Sequence, residues 1–275
     1  MIDGFDYKEP ACPLCGGKEF YNPELSPAAG RIPVKRIMEK TDGFYKKNDL
    51  AGAAAHLEYW LEEARALNDK NGELSVINEL LGVYRKTANT EKGTDAASRA
   101  LSLIEELNLS GSVSAATIIL NVATLFKAFG KAEKAVPLYE KVQKIYDGNL
   151  TQKDPLKAGL YNNFALALAD VGETEKAEKL YLSAIEIMEN AENGKIDAAI
   201  SYINLAHLYD AQKTPKDKIT DCLFKAYNLL CDEKNPQDSY LAFVYSKCYP
   251  SFGYFGYAKI AEELKNLSEK IYERS

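Results

Sequence analysis

Histidine, tryptophan and the turn-forming residues are scarce in this chain. Its 275 residues include two histidines, one tryptophan, 10 prolines and 17 glycines. His56 and His207 lie about 150 residues apart, so a His-based acid–base or metallohydrolase centre has little to be built from. There is no G-x-G-x-x-G, no Walker loop, no H-E-x-x-H and no G-x-S-x-G, which removes the usual phosphate-loop, zincin and serine-hydrolase readings. We therefore read the chain as not an enzyme. No apolar run approaches the roughly 20 residues of a membrane-spanning helix. The start, MIDGFDYKEPAC, lacks the basic and apolar regions of a signal peptide. Five cysteines make an odd number without a disulfide framework, which points to reduced thiols in a cytoplasm. The net charge of −6 argues against a broad electrostatic grip on nucleic acid or anionic lipid.

What is present favours helix. Apolar residues make up 46% and charged residues 27%, with Ala, Leu, Glu and Lys abundant. Three strings share one skeleton: ANTEKGTDAASRALSL from Ala88, GKAEKAVPLYEKVQKI from Gly130 and GETEKAEKLYLSAIEI from Gly172. Each has a short turn, then E-K or a close variant, a small residue, and apolar residues three or four apart. Gly93, Ala135 and Ala177 correspond at intervals of 42 residues, and Ile219 and Ile260 extend the series. Ala135, Tyr139 and Val142, like Ala177, Tyr181 and Ala184, fall on one helix face. The small first residue lets a neighbouring helix approach closely. A second stripe precedes each: Val122, Ala123 and Phe126, then Phe164, Ala165 and Leu168.

Each unit is thus a helix–turn–helix that cannot bury both stripes alone, so units must stack. The expected fold is all-α, a right-handed superhelical solenoid with concave and convex walls. About six antiparallel pairs are predicted: 33–47 with 49–67, 72–87 with 91–107, 113–129 with 131–147, 154–171 with 173–190, 195–211 with 215–231, and 237–252 with 255–272. Pro155, Pro215 and Pro236 sit where first turns should begin, with Asp154 and Thr214 as N-caps. Residues 1–30 form a separate leading segment and 31–275 the array. In the last unit, Pro250 and the nearby glycines and aromatics of YSKCYPSFGYFGYAKI break the helical pattern, as suits an atypical terminal cap.

The pattern resembles the tetratricopeptide repeat (TPR) family, through Asn121, Ala123, Phe126, Gly130, Ala135 and Tyr139, and through Asn163, Phe164, Ala165, Leu168, Gly172, Ala177, Tyr181 and Ala184. The long period is similar to that of kinesin light chains and bacterial peptide sensors. The resemblance implies a protein or peptide partner lying in the concave groove. It also implies that Asn121, Asn163 and Asn204 pair with the backbone of an extended segment, since a primary amide both donates and accepts. Asn162 and Asn78 fall one position earlier. By helical phase alone, Ser75, Glu79, Arg85, Lys86, Thr117, Thr124, Lys127, His207 and Asp210 face the same wall. Arg85, Lys86 and Lys127 there would suit a carboxylate or phosphate. The plainer readings are an amide bonded within the protein, a solvated basic helix face and a packed histidine.

ACPLCGGKEF carries Cys12 and Cys15 at the spacing of two ligands in a tetrahedral zinc site, but a second C-x-x-C is absent. Four readings stay open: half a zinc site completed elsewhere, a decayed knuckle without metal, a redox pair, or a tight turn. About 30 residues before the array are too few for a DNA-binding helix-turn-helix domain with its own core. Two other functions compete with peptide binding. One is a structural module that self-associates, as a homo-oligomer, through Tyr249, Phe252, Tyr254, Phe255 and Tyr257. The other is a zinc-dependent regulator acting through Cys12 and Cys15.

Overall fold

The computed structural model describes residues 30–273, which form twelve α-helices and no strands. They are α1 (Val34–Lys46), α2 (Leu50–Ala66), α3 (Lys70–Lys86), α4 (Thr90–Glu106), α5 (Val113–Ala128), α6 (Ala132–Asn149), α7 (Pro155–Asp170), α8 (Thr174–Glu189), α9 (Lys195–Ala211), α10 (Lys216–Leu230), α11 (Ser239–Tyr254) and α12 (Ala258–Tyr272). All lie within three residues of the predicted spans. The chain divides into two compact units, with the sequence boundary between Leu150 and Thr151. One contains α1–α6 and the other α7–α12, and each holds three helix pairs of an α-solenoid.

The pairs recur because one turn recurs. At most helix ends a C-cap is followed by one left-handed residue and then by the next N-cap. Asn48, Asn68, Gly130, Gly172 and Gly256 hold that residue, with φ between 53° and 87°. Asn and Gly tolerate it with little strain. Ala88 (φ 52°) and Lys213 (φ 55°) do not. Ala88→Gly should therefore raise the urea-unfolding midpoint, by an amount equivalent to about 1 kcal/mol. N-caps then start the next helix: Asp49 accepts from the Gly52 N–H at 2.8 Å and Asn89 from the Lys92 N–H at 3.2 Å.

Three sequence expectations at helix ends and interiors are corrected. Pro155 does open α7 behind Asp154, whose Oδ1 accepts from the Leu156 N–H at 2.9 Å. Pro215, however, is itself the extended N-cap of α10, displacing Thr214 from that role. Pro236 precedes α11 by three residues, and the cap is Asp238, which accepts from the Leu241 N–H. Pro250 does not break the last unit, because α11 continues through it. The missing proline N–H removes one ladder bond, and the buried Val244, Tyr245, Cys248 and Phe252 hold the helix together on either side.

Within each unit the first helices lie side by side, α1 with α3 and α3 with α5, then α7 with α9 and α9 with α11. Second helices fill the outer layer. The small residues at the repeat position behave as expected: Gly93, Ala135 and Ala177 are buried, and a Cβ on Gly93 would meet the Phe129 ring at 2.8 Å. Tyr139 and Tyr181, one turn further along, are each 1% exposed. In the second unit two rungs fix the register of α8, α9 and α10. Tyr202 and Tyr209 of α9 donate to Glu189 and Glu178 of α8, at 2.8 Å each. Lys225 and Lys218 of α10 lie over the same two rings, at 5.6 and 5.3 Å.

Candidate functional site

The first helices carry the polar residues singled out from the sequence, and the structure pairs several of them. In the first unit the Asn121 Nδ2 donates to the Asn78 Oδ1 at 3.0 Å, joining α5 to α3. In the second unit the Asn204 Nδ2 donates to the Asn162 Oδ1 at 3.1 Å, joining α9 to α7. In both units the Asn of the later first helix donates to the Asn that falls one repeat position earlier in the preceding first helix. Asn78, Asn121, Asn162, Asn163 and Asn204 are all buried, between 0% and 5% exposed.

Asn162 stands apart. Its Oδ1 also lies 3.2 Å from the Ser201 hydroxyl, whose one proton is shared between that oxygen and the Asp197 carbonyl at 3.1 Å. Two donors on one oxygen fix the amide and aim its nitrogen the other way. That Nδ2 is buried without a hydrogen-bond partner. A buried donor left unmade costs about 1–3 kcal/mol. Ser201 is the contributor that sequence reading missed. It lies 39 residues from Asn162, off the 42-residue period, so the repeat gave no signal for it.

Thr117 and Thr124 are corrected. They do not face the first-helix wall. Thr117 Oγ1 is 3.1 Å from the Tyr146 hydroxyl and Thr124 Oγ1 is 3.2 Å from the Tyr139 hydroxyl, both on α6. They lock the second helix of their own pair. Arg85 and Lys86 end α3 and Lys127 ends α5, so the three cations occupy the same end of adjacent helices. The Lys86 Nζ lies 5.2 Å from the centroid of the Tyr45 ring of α1. Cations there also oppose the partial negative charge of the helix C-termini.

His207, on α9, is half-buried against α11. Its Nε2 lies 2.9 Å from the Ser251 hydroxyl, and its ring sits 4.9 Å from that of Phe255 and 5.6 Å from that of Tyr254. Burial pushes the imidazole below its ordinary pKa, and nearby Asp210 only partly offsets this. The aromatic-rich last unit turns mostly inward. Phe252 is fully buried, Tyr249, Phe255 and Tyr257 are half-buried, and Tyr254 is exposed at 57%.

Cys12 and Cys15 lie outside the described residues. Among the described residues, no group of three His, Cys, Asp or Glu side chains is placed to hold a metal ion. Cys222 and Cys248 are buried, and burial raises both thiols, Cys222 to about 11. No described helix is long and apolar enough to cross a membrane.

Comparison with known proteins agrees with this architecture. Residues 158–193, spanning α7 and α8, match the tetratricopeptide repeat family. BtubC (BKLC) from P. vanneervenii has a similar solved structure, at TM-score 0.59 and 22% identity, over 82% of this chain and 91% of that one. A putative kinesin light chain from Podosopora anserina, with nearly identical TPR-like repeats, is similar at TM-score 0.54 and 17% identity, over 73% and 95% of the two chains. No curated protein matches the sequence. Residues 158–193 are thus a tetratricopeptide repeat, and the helix pairs around them share the fold of TPR proteins.

Proposed function

We propose that this protein is a non-catalytic interaction scaffold that holds an extended segment of a partner protein against its first helices. The observation that carries this reading is the Asn162 Nδ2, a buried and rigidly aimed donor with no acceptor. A backbone carbonyl of a bound segment would supply one where the first helices yield to admit it, since Asn162 is fully buried in the chain alone. Asn204 and Ser201 orient that amide, and Asn163 lies beside it on α7. Within the first unit, Asn78 and Asn121 join α3 to α5 in that unit's own layer of first helices. Arg85, Lys86 and Lys127 would there select an acidic side chain or a carboxylate of the partner. His207 belongs to the same layer of first helices, on α9. We place the scaffold in a reducing cytoplasm, where Cys222, Cys231 and Cys248 would stay the free thiols that they are here.

The test uses the full chain as bait for a displayed library of random peptides. Acidic peptides should be enriched. Asn162→Asp keeps both acceptor positions for Asn204 and Ser201 but deletes the spare donor. It should weaken a selected peptide about tenfold or more, as loss of one buried hydrogen bond with added charge repulsion would. Arg85→Glu with Lys127→Glu should abolish the preference for acidic sequences. A library that yields no enrichment, or peptides indifferent to Asn162→Asp, would remove the first-helix wall as the binding surface.

A further inference from the structure

We propose that His207 is a protonation-controlled latch holding the last helix pair, α11 and α12, against α9. Two ties join the end of α9 to the C-terminal turns of α11. One is His207 to Ser251, at 2.9 Å, with Ser251 only 5% exposed. The other lies one helical turn further along α9, where the Tyr254 hydroxyl donates to Asp210 Oδ2 at 2.8 Å. The rings of Tyr254 and Phe255 close over the imidazole between them. Tyr254 and Phe255 also end α11, where Gly256 at φ 87° turns the chain into α12. α12 follows that turn and is held further by Ser268, which donates to the Ala242 carbonyl, and by Tyr227 of α10, which donates to Glu263.

The groups facing the imidazole are few. Asp210, from its own helix, is the charged one that acts on it. α11 contributes Ser251, Phe255 and the phenol of Tyr254. Burial is the larger influence and holds the ring neutral. The folded chain thus binds a proton at His207 less readily than the unfolded chain. The contribution of this site is complete above the ordinary imidazole pKa of about 6.5 and is lost as pH falls below it. An imidazolium three residues from Asp210 also competes with Tyr254 for that carboxylate. One proton therefore acts on the latch through the cost of burying the imidazolium and through its pull on Asp210, while Nε2–H still donates to the Ser251 oxygen.

Hydrogen–deuterium exchange of the full chain at pH 7.5 and 5.5, corrected for intrinsic rates, tests this. Protection of α11 and α12 should fall about fivefold at the lower pH while α7 and α8 change little. His207→Gln keeps a polar partner for Ser251 and should remove the pH dependence. His56→Gln should leave it intact. An equal pH response in wild type and His207→Gln would overturn the latch, as would no response in wild type. A titration of the wild-type imidazoles by NMR keeps the test independent of any variant. The His207 midpoint should lie below that of an unfolded chain, with the Tyr254 ring signals moving at the same midpoint. A midpoint at or above the unfolded value, or a stationary Tyr254, would also overturn it.

Discussion

Replacing Glu73 by alanine is expected to destabilise the first unit by about 3 kcal/mol, read as a lower urea-unfolding midpoint. The Glu73 carboxylate is 5% exposed at the start of α3 and joins three helices. Arg99 of α4 grips it with two bonds, at 3.0 and 2.8 Å, and Arg65 of α2 adds one at 3.2 Å. Arg99 also reaches Glu106, which pairs with Lys70. Loss of the acid leaves two guanidiniums facing each other. They are 46% and 34% exposed, so water screens part of the repulsion and the cost sits at the low end for a broken buried pair. Burial alone would push the Glu73 carboxyl up, but the bonds from Arg99 and Arg65 outweigh it and hold it below the usual carboxylate range. Its stabilising contribution is therefore present above an unfolded carboxylate pKa of about 4.3 and is lost as pH falls below that. Glu73→Ala should accordingly flatten the acid limb of the stability curve. An unchanged acid limb would show that the network carries no net stability.

The second large effect is expected at Tyr139. Its ring is 1% exposed beneath the first unit's outer layer, and its hydroxyl meets Thr124 of α5. Tyr139→Ala should cost about 3–5 kcal/mol, because a rigid helix pair cannot collapse into the space left by an aromatic ring. Tyr139→Phe keeps the ring and should cost only about 1 kcal/mol. Thr124 stays satisfied in that variant through its bond to the Leu120 carbonyl at 2.9 Å. Equal losses for the two variants would mean that the hydroxyl pair, not the ring, joins α5 to α6. Gly93 makes the converse prediction. Gly93→Val would drive a side chain into the Phe129 ring, at a cost of about 1–3 kcal/mol by overpacking.

Helix pairs were legible in the sequence because the signal is redundant. Small residues at Gly93, Ala135 and Ala177, buried tyrosines at 139 and 181, and left-handed turns at Gly130 and Gly172 all keep one period. An error of a residue or two at a helix end leaves that conclusion intact. The direction of a single polar side chain has no such redundancy. One residue is about 100° of helix rotation. Helical phase puts Thr117 and Thr124 on the wall, yet each turns to a tyrosine of its own pair. Asn204 shares a repeat position with Asn163, yet its hydrogen bond goes to Asn162, which the repeat pattern alone does not reveal. Glu73 gave a weaker cue, one acid at the head of the buried run Leu74–Ile77. Its partners lie 8 and 26 residues away, outside the repeat, so periodicity could not reveal them.

The most direct test of the scaffold reading is the side-chain amide signal of Asn162. It can be assigned by its disappearance from the nitrogen–proton spectrum of Asn162→Asp and then followed while a library-selected peptide is titrated into the wild-type chain. A carbonyl arriving at Nδ2 should move that pair of signals downfield in proton, saturating with the binding curve. Peptide binding that leaves the Asn162 signals in place while shifting residues of α8, α10 or α12 would put the partner on the outer helices and contradict the account.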